Sequence, residues 1–308
     1  MVLGRVGLTG ATGMLGRHLH AALNAAGADV VCVSRSSGEG VKTWDLATWL
    51  RHQELDELFP GVRAVVHAGA LVQPTGEVDQ ARMFDANVRA CLNLGQWALA
   101  RDIPIVYISG AIVYADPHAP SQDESAPLGC SGLGGFYGFS KLLAEDVLVR
   151  LRQQGLKLAL LRPTSIYGQG LDEAKMVMRF LSLATADSVI DLIEPSADRV
   201  DLVHAADVAA ATVAVLQRQC WDNFNLSSGD PVSIRNLAQA CLDVTGSGRI
   251  SISGHTQPGY RPKTTYSLEI NRARERLGWE PAIDIHCGLD MLLRGQYLLI
   301  APIMDKRI

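Results

Sequence analysis

Several features that would indicate other classes of protein are missing from this sequence. Its 308 residues contain no C-x-x-C pair and no block of basic residues, and the formal net charge is −4. Nucleic acid is therefore not an expected partner. No apolar run reaches the roughly 18 residues that a membrane-spanning helix needs, so no membrane partner is expected. Because Met1 leads directly into an apolar run, we also expect no signal peptide and a cytoplasmic location.

Two residue types that often build sites are scattered here. The six cysteines lie far apart, which suggests free, mostly buried thiols in a reducing compartment. The eight histidines form no cluster typical of metal ligands, so no metal site is predicted. What is abundant is apolar side chains, which make up 48% of the residues. A chain of this length and composition predicts a globular protein with a large core.

The first half of the chain alternates between two kinds of pattern. Apolar runs suit buried parallel strands, and helical patterns lie between several of them. The strand runs are residues 2–8, 29–34, 63–70, 103–109 and 156–161, and the helical stretches are residues 14–26, 80–101 and 136–154. This alternation predicts an α/β protein with a Rossmann-type, doubly wound parallel sheet. Ligands in such sheets bind at the carboxyl ends of the strands.

After Gly168 the pattern loosens, and we predict a small C-terminal α/β lobe for the substrate. The dinucleotide-binding core is predicted at residues 1–168, with about 200–228 returning to it, and the lobe at residues 169–199 and 229–308. The predicted elements are helices 171–186, 207–217, 233–245 (capped by Ser233) and 271–277 (ended by Gly278), strands 189–193 and 224–226, and a polar loop 250–262. The tail 289–303 is apolar enough to be buried against this lobe or a partner subunit.

The first functional motif is residues 9–16, TGATGMLG, between a predicted strand and a predicted helix. Its glycines, Gly10, Gly13 and Gly16, would allow a sharp turn, close approach of a pyrophosphate and tight helix–strand packing. A bound anion would sit on free N–H groups at the positive end of the helix dipole. The motif predicts a phosphate-binding turn, and a tight turn without a ligand is the alternative.

The second motif is Tyr137 and Lys141, four residues apart at a predicted helix start, so that both share one helix face. A nearby ammonium stabilises a phenolate and lowers the tyrosine pKa from about 10. The pair predicts a general acid/base that works near neutral pH. An ordinary amphipathic helix is the alternative interpretation.

Further motifs follow in order along the chain. They are residues 65–70 (VVHAGA), Asn87, residues 106–114 (VYISGAIVY), residues 161–168 (LRPTSIYG), residues 201–204 (DLVH) with Asp207, Arg261 with Pro262, and residues 273–279 (ARERLGW). With the two motifs above, their order and spacing resemble those of the extended short-chain dehydrogenases/reductases. That group includes nucleotide-sugar epimerases and dehydratases, and the match covers nearly the whole chain.

The resemblance implies the catalytic roles. Tyr137 would exchange a proton with the hydroxyl at the substrate carbon, while Lys141 would lower the Tyr137 pKa and bind the nicotinamide ribose. Hydride would pass between that carbon and the nicotinamide, which is the chemistry of the cofactor. Asn87 would anchor its helix to the strand that holds the cofactor, with an ordinary polar contact in a helix as the alternative.

The resemblance also implies a cofactor-binding set. Small residues at a strand end would line the cofactor, and an acidic residue with its neighbour would lie beside the adenine. Besides Tyr137 and Lys141, the set is Gly10, Thr12, Gly13, Met14, Leu15, Gly16, Ser34, Arg35, Asp45, Leu46, Ala68, Gly69, Ala70, Asn87 and Pro163. The second strand ends without the acidic residue expected for an NAD ribose. Arg35 with Ser34 and Ser36 suits a 2′-phosphate, which favours NADP slightly over NAD, and a solvated arginine is the alternative.

The chain departs from the family pattern where substrate would bind. Gly110 stands four residues before Tyr114, where a Ser or Thr usually helps to hold the substrate oxygen. Ser109 could replace that hydroxyl only if the chain bends there, and Ser131 is another candidate. Ser131 belongs to the glycine-rich segment 128–135, which suits either a plain connector or a lid.

Three further positions bear on the substrate. Ser165 replaces a frequent Asn, and Val200 takes the place of an expected arginine, with Arg199 one residue earlier. Arg261 is kept and could bind a diphosphate, although a structural arginine is the alternative. The predicted substrate residues are therefore Gly110, Ser165 and Arg261.

The predicted function is NAD(P)-dependent redox chemistry at a carbinol/carbonyl carbon of a small molecule, with a nucleotide-sugar as one candidate. One alternative is an NADPH-dependent carbonyl reductase that acts on a non-nucleotide substrate. Another is a non-catalytic dinucleotide sensor, which Gly110 favours and the Tyr137/Lys141 pair disfavours. The two long helices at residues 80–101 and 136–154 resemble the pair that forms the dimer interface in this family, so a homodimer is predicted.

Overall fold

A computed structural model of the protein describes residues 3–72, 79–131 and 133–296. Its strands, numbered in chain order, are β1 (Arg5–Thr9), β2 (Asp29–Ser34), β3 (Val41–Thr43), β4 (Ala64–His67), β5 (Ile105–Ile108), β6 (Leu158–Pro163), β7 (Ser165–Tyr167), β8 (Val189–Ile193), β9 (Arg199–Val200), β10 (Leu202–His204), β11 (Asn223–Leu226), β12 (Val232–Ser233), β13 (Arg249–Ser253) and β14 (Thr264–Thr265). Its α-helices are α1 (Met14–Ala25), α2 (His52–Leu58), α3 (Gln80–Phe84), α4 (Ala90–Ala100), α5 (Gly135–Gln153), α6 (Met176–Thr185), α7 (Ala205–Arg218), α8 (Ile234–Thr245), α9 (Asn271–Leu277) and α10 (Ile285–Leu293).

A seven-stranded sheet in the order β11-β6-β5-β4-β1-β2-β3 forms the centre of the molecule. Every neighbouring pair in it is parallel. The apolar runs in the sequence became β1, β2, β4, β5 and β6, because strands covered on both faces need apolar side chains throughout. The short edge strand β3, which carries Lys42, was not predicted. The predicted Rossmann-type sheet is confirmed.

Helices cover both faces of this sheet. On one face α1 and α7 pack together, and Leu19, Leu23 and Val208 belong to their shared core with β1 and β4. On the other face α2, α4 and α5 enclose a second core that includes Trp97 and Leu148. The sheet is therefore doubly wound, and its carboxyl edge is open to ligands.

The helix predicted at residues 80–101 is interrupted. Between α3 and α4 the backbone forms a π-helical turn at Asp85–Arg89. Asn87, in the middle of this turn, is buried and bonds to the backbone of Leu71 beyond β4. A π turn inserts one extra residue in a helix and often marks a functional site. Here the turn presents Asn87 to the loop at the sheet edge.

The second lobe has its own core, where α6, α8 and α10 pack around β8 and the buried Leu237 and Leu289. The predicted polar loop 250–262 is wrong at its start, because residues 249–253 form β13 and pair in parallel with β8. The alternation of Ser and Ile there reflects a mostly exposed edge strand. The helix predicted from residue 171 begins only at Met176, after turns at Asp172 and Gly168.

Predicted helix ends in this region agree with the structure. Ser233 Oγ accepts a hydrogen bond from the Asn236 N–H at the start of α8. Gly278 ends α9 with a left-handed φ of +59°, a conformation that glycine adopts without steric cost. Leu289 and Leu292 of the predicted apolar tail are buried, and residues 297–303 lie outside the described residues.

One segment departs from the predicted lobe boundary. Ile270, Leu277 and Trp279 pack in the core of the main sheet beside α7, although the sequence predicts that residues 229–308 belong to the lobe. The indole N–H of Trp279 donates to the backbone oxygen of Asp207, and the Asp207 carboxylate accepts from the N–H groups of residues 282 and 283. These bonds tie α9 to the start of α7. No helix within the described residues is both long and apolar enough to span a bilayer.

Candidate active site

The turn at residues 9–16 has the geometry of an anion cradle. Gly10 has φ +70°, and a Cβ there would lie 2.8 Å from the backbone of Gly69. A Cβ on Gly16 would lie 2.8 Å from the carbonyl carbon of Ala11 and closer still to the oxygen of Gly10. These two glycines therefore permit the turn and the close packing of α1. The first turn of α1 has no acidic residue, which leaves its N–H groups open to an anion.

A cleft of about 340 Å³ opens above this turn, at the carboxyl ends of β1, β2 and β4. Most of the predicted cofactor residues meet there. Its walls are Thr9, Gly10, Thr12, Gly13, Val33, Ser34, Arg35, Ser36, Trp44, Asp45, Leu46, Ala68, Gly69, Ala70, Leu71, Val72, Arg82 and Ala86. The Thr12 and Ser34 hydroxyls are hydrogen-bonded at 2.6 Å, which joins the turn to the end of β2. This set of small, polar and cationic groups fits a dinucleotide.

The floor of the cleft is held by a buried polar pair. Thr9 Oγ1 accepts a hydrogen bond from the Gly69 N–H at 3.1 Å and lies 2.6 Å from His67 Nδ1. Burial, together with the nearby charge of Lys141, lowers the pKa of His67 to about 3, so the ring is neutral at pH 7. His67 is thus a packed residue at a strand end.

One end of the cleft carries charge. Arg82 and Asp45 form an ion pair at 2.6 Å, and both line the wall. Arg35 is exposed beside Ser34 and Ser36. The arginines could meet a ribose phosphate, while Asp45 holds Arg82 in place.

Tyr137 and Lys141 lie on α5, which a chain of hydrogen bonds fixes to the sheet. Asn87 Nδ2 donates to Ser140 Oγ at 2.9 Å, and that hydroxyl donates to the backbone oxygen of Tyr137 at 2.8 Å. Lys141 Nζ donates to the oxygen of Ile108, the last residue of β5, at 2.7 Å. Asn87 therefore joins α5 to the loop after β4.

The pKa values of the pair depart from the expectation. Burial raises the pKa of Tyr137 to about 12, and the predicted lowering by Lys141 is wrong for this arrangement. Burial also lowers the pKa of Lys141 to about 8, against the opposing effect of Cys91 and Glu145. The ammonium is held under the end of β5, 4.4 Å from the centre of the Tyr107 ring. Tyr137 is consequently a phenol that carries its proton at neutral pH.

A second cleft of about 480 Å³ lies beside Tyr137, between the main sheet and the small lobe. It meets the first cleft at Val72, which lines both. Its walls are Met14, Val72, Ser109, Gly110, Ala111, Ile112, Tyr137, Pro163, Thr164, Ser165, Ile166, Tyr167, Leu171, Lys175, Met176, Val177, Val200, Leu202 and Tyr266. Tyr137 thus lines a cleft that is next to the predicted dinucleotide cleft.

Some predicted residues do not line either cleft. Leu15, Gly16, Asn87 and Lys141 act from behind the walls, through packing and hydrogen bonds. Arg261 is exposed and lies outside both linings, so the structure does not bring it to the predicted substrate position.

Other residues of the site were not predicted. Arg82 faces Asp45 across 37 positions of sequence, and Tyr266 lies between the Arg261–Pro262 motif and the motif at residues 273–279 without belonging to either. Lys175, just before α6, is the cation among the described residues that line the second cleft. None of these carries a local pattern, so only the tertiary fold reveals them.

Comparison with known proteins identifies the family. The model of the NAD-dependent epimerase/dehydratase family matches residues 6–227. The chain belongs to the NAD-dependent epimerase/dehydratase family. The predicted class is thereby confirmed: this is an enzyme of the extended short-chain dehydrogenase/reductase type that works with a nicotinamide dinucleotide. The preference for NADP stays a prediction.

Individual relatives of this epimerase/dehydratase chain are distant. A putative UDP-glucose 4-epimerase from Methanocaldococcus jannaschii is 27% identical over 92% of this chain and 95% of its own. A dTDP-4-dehydro-6-deoxy-D-allose reductase from Streptomyces bikiniensis is 26% identical over 93% of this chain and 94% of its own. The crystal structure of UDP-N-acetylglucosamine 4-epimerase from Bacillus cereus shares the fold, with a TM-score of 0.81 and 22% identity. The match covers 94% of this chain and 97% of that one.

The described part of this epimerase/dehydratase chain contains no group of three or more His, Cys, Asp or Glu side chains that could hold a metal. All six cysteines are free, and Cys130 and Cys287 are exposed.

Proposed function

We propose that this enzyme transfers hydride between a nicotinamide dinucleotide and a carbinol or carbonyl carbon of a nucleoside diphosphate sugar. One observation carries the proposal: Tyr137 lines the second cleft, and that cleft shares the wall residue Val72 with the dinucleotide cleft. The similar proteins named above are an epimerase and a reductase of nucleotide-sugars, which supports the substrate class. The bound nicotinamide would supply the hydride chemistry.

The protein's own groups would manage the proton. Tyr137 carries its proton at neutral pH, so its hydroxyl suits donation to a substrate carbonyl oxygen. Lys141, fixed to the end of β5, would offer positive charge next to the phenolate that results. Asn87 and Ser140 would keep α5 in register with the cleft during this exchange.

The test is turnover by the purified protein. It would be incubated with NAD or NADP, in both oxidation states, and a panel of UDP- and dTDP-sugars with their 4-keto derivatives, and products would be resolved by chromatography and mass spectrometry. We expect epimerised, oxidised or reduced sugar. Absence of product from every member of the panel would contradict the nucleotide-sugar proposal.

A second candidate is reduction of a carbonyl substrate without a nucleotide. Arg261 is exposed and outside the second cleft, whose lining is largely apolar. A panel of simple ketones and aldehydes with NADPH separates the two candidates, since turnover of these alone would favour the second.

The choice of dinucleotide rests on Arg35. Its exposed guanidinium next to Ser34 and Ser36 supports NADP, whereas the family description supports NAD. Calorimetric titration with both would decide, and Arg35→Ala should weaken NADP about tenfold while it leaves NAD unchanged. Equal or tighter binding of NAD by the wild type would contradict the preference for NADP.

We further propose a cytoplasmic homodimer. An apolar groove between α4 and α5, lined by Leu92, Leu99, Val147 and Leu151, supports an interface at these helices. The six free cysteines support a reducing compartment.

A further inference from the structure

The second cleft contains a tyrosine in an unusual state. Tyr266 lines the cleft together with Tyr137 and Gly110, and its side chain is 8% exposed. Its hydroxyl makes no hydrogen bond of ordinary geometry with any described residue. Burial raises the Tyr266 pKa, and the neighbouring Ser131 hydroxyl opposes this rise. A buried hydroxyl without a partner is costly, so it calls for a partner from elsewhere.

The backbone of Tyr266 is also strained. Its φ is +56°, a left-handed value that is a genuine outlier for a bulky side chain. Neighbouring contacts impose this conformation: the Tyr266 N–H donates to the oxygen of Pro117 at 2.7 Å, and the N–H of Gln122 donates to the oxygen of Ser267 at 3.0 Å. Strain of this kind persists where the surrounding structure enforces it and is concentrated at functional sites. Here it directs the aromatic ring onto Ala111 and Tyr114, directly beyond Gly110.

Gly110 itself is not required by the fold. Its φ is 174°, which is ordinary extended backbone for any residue. A Cβ at this position would have its nearest atoms, Ile112 Cγ2 and Pro163 O, at 3.8 Å. A Cβ at this position therefore meets no clash, and the backbone conformation does not require glycine there. The cleft wall that includes Tyr137 therefore has no side-chain hydroxyl at Gly110, whereas the Tyr266 hydroxyl in the same wall has no hydrogen-bond partner among the described residues.

We propose that Tyr266 contacts the substrate and donates its phenolic hydrogen bond to the oxygen on the reacting carbon, in place of the hydroxyl that Gly110 lacks. In this complex the substrate oxygen takes the place of Ser131 beside the phenol. Tyr137 and Tyr266 then hold the same oxygen from two sides, one to transfer a proton and one to stabilise developing charge. The inference rests on the proposed function of the second cleft.

Ser109 is the rival source of this hydroxyl. It too is buried, lines the cleft and has an oxygen without a partner among the described residues. However, the Ser109 N–H still bonds to Leu161 across β5 and β6 at 2.8 Å. The chain thus keeps ordinary strand geometry at Ser109, whereas Tyr266 is held at a strained φ of +56°, and such strain is concentrated at functional sites. Tyr266 is favoured for that reason, and Ser109→Ala tests the rival.

The experiment compares Tyr266→Phe, Ser109→Ala, Gly110→Ser and the double variant Y266F/G110S, with the substrate that the panel identifies. Tyr260→Phe is the matched control, because the Tyr260 hydroxyl bonds to Asp198 at 2.6 Å and lies outside the cleft. Phenylalanine keeps the ring packing at positions 260 and 266, and a Cβ at Gly110 meets no atom closer than 3.8 Å, so these variants should fold. Each is assayed for kcat, KM and the Kd of the dinucleotide.

We expect Tyr266→Phe to lower kcat about 10²-fold, the usual effect of losing one such donor. The Kd of the dinucleotide should stay within twofold of the wild-type value. In the double variant Y266F/G110S, kcat should be at least tenfold higher than in Tyr266→Phe alone. Tyr260→Phe should match the wild type. An unchanged kcat in Tyr266→Phe, a loss confined to Ser109→Ala, or a defect that Gly110→Ser does not relieve would overturn the inference while leaving the proposed function standing. A wild-type protein inactive on the whole panel would instead remove the proposed function and this inference with it.

Discussion

At the scale of single residues, Tyr137 is the group on which the chemistry depends. Replacing it by phenylalanine removes the proton donor and keeps the ring. We expect kcat to fall about 10²–10⁴-fold, as is typical for loss of a general acid. The Kd of the dinucleotide, measured by calorimetry, should change less than threefold, because the first cleft does not include Tyr137. Unchanged turnover in this variant would show that another group transfers the proton.

The positions of residues could be predicted from the sequence where a motif has a fixed local geometry, while their roles stay predictions. The glycine turn fixes Gly10, Thr12 and Gly13 at the start of a helix, and all three line the first cleft as expected. Arg261 and the pKa of Tyr137 could not be foreseen in this way. The position of Arg261 depends on how a remote loop packs. The pKa of Tyr137 depends on its burial, which the spacing of residues in the sequence does not reveal.

At the scale of elements, the packing of α1 against the turn makes Gly16 critical. Gly16→Ala would place a methyl group against the backbone of Gly10 and Ala11. We expect it to displace α1, to lower the free energy of unfolding by about 1–3 kcal/mol and to weaken dinucleotide binding at least tenfold. Denaturant melts and calorimetry measure both effects.

Gly13→Ala is the matched control for this prediction. A Cβ on Gly13 meets only the Gly10 oxygen, at 3.3 Å. We therefore expect the free energy of unfolding to change by less than about 1 kcal/mol, although the added methyl group faces the anion site. Equal stability losses in the two variants would contradict the packing argument for Gly16.

The start of α7 makes stability depend on pH. His204 caps this helix by accepting the Ala206 N–H at Nδ1, and burial, assisted by His18, lowers the pKa of His204 to about 4. A histidine titrates near 6.5 when unfolded. The stability that neutral His204 contributes is therefore fully present above pH 6.5, and it is lost progressively as the pH falls through 4. By linkage the loss at pH 4 is about 3 kcal/mol.

The variant His204→Asn tests this dependence, because asparagine can cap the helix but does not titrate. Burial raises the pKa of the neighbouring Asp207 to about 6, which acts in the opposite direction but is present in both proteins. Urea unfolding between pH 7 and pH 4 should show a shallower decline in the variant. Parallel curves for the two proteins would rule out His204 as the source of the dependence.

Element boundaries were predictable where apolar periodicity was strong, as in β2 and α9, whose ends agree with the sequence-based ranges. The π turn around Asn87 was not, because the pattern of residues 80–101 is that of one helix. A buried amide that must reach the backbone of Leu71 displaces the helix locally. Such long-range bonds leave no trace in helical periodicity.

At the scale of the whole molecule, we expect a homodimer whose interface lies at the groove between α4 and α5. Val147→Glu would bury a carboxylate in a dimer interface, where an unpaired charge is strongly unfavourable. We expect the wild type to have the mass of a dimer by light scattering and the variant that of a monomer. Ser182→Glu, on the exposed face of α6, should leave the mass unchanged. A monomeric wild type would refute the dimer.

The two-lobe plan was predictable from the loss of alternation after Gly168, and the return of residues 223–226 to the main sheet was expected. The position of α9 was not, since Leu277 and Trp279 could cover either lobe on apolarity alone. Hydrogen bonds to Asp207 decide the matter, and they join residues more than 70 positions apart.

The place of β11 at the edge of the main sheet bears on how the chain is made. During synthesis β6 emerges more than sixty residues before its outer neighbour, and the elements in between are β7, α6, β8, β9, β10 and α7. Until then the ribosome carries a nearly complete sheet with an open, apolar edge, the kind of surface that pairs with other chains. Folding should therefore be slow and depend on protection of nascent β6. A chain truncated before Asn223 should aggregate rather than yield a free dinucleotide-binding domain.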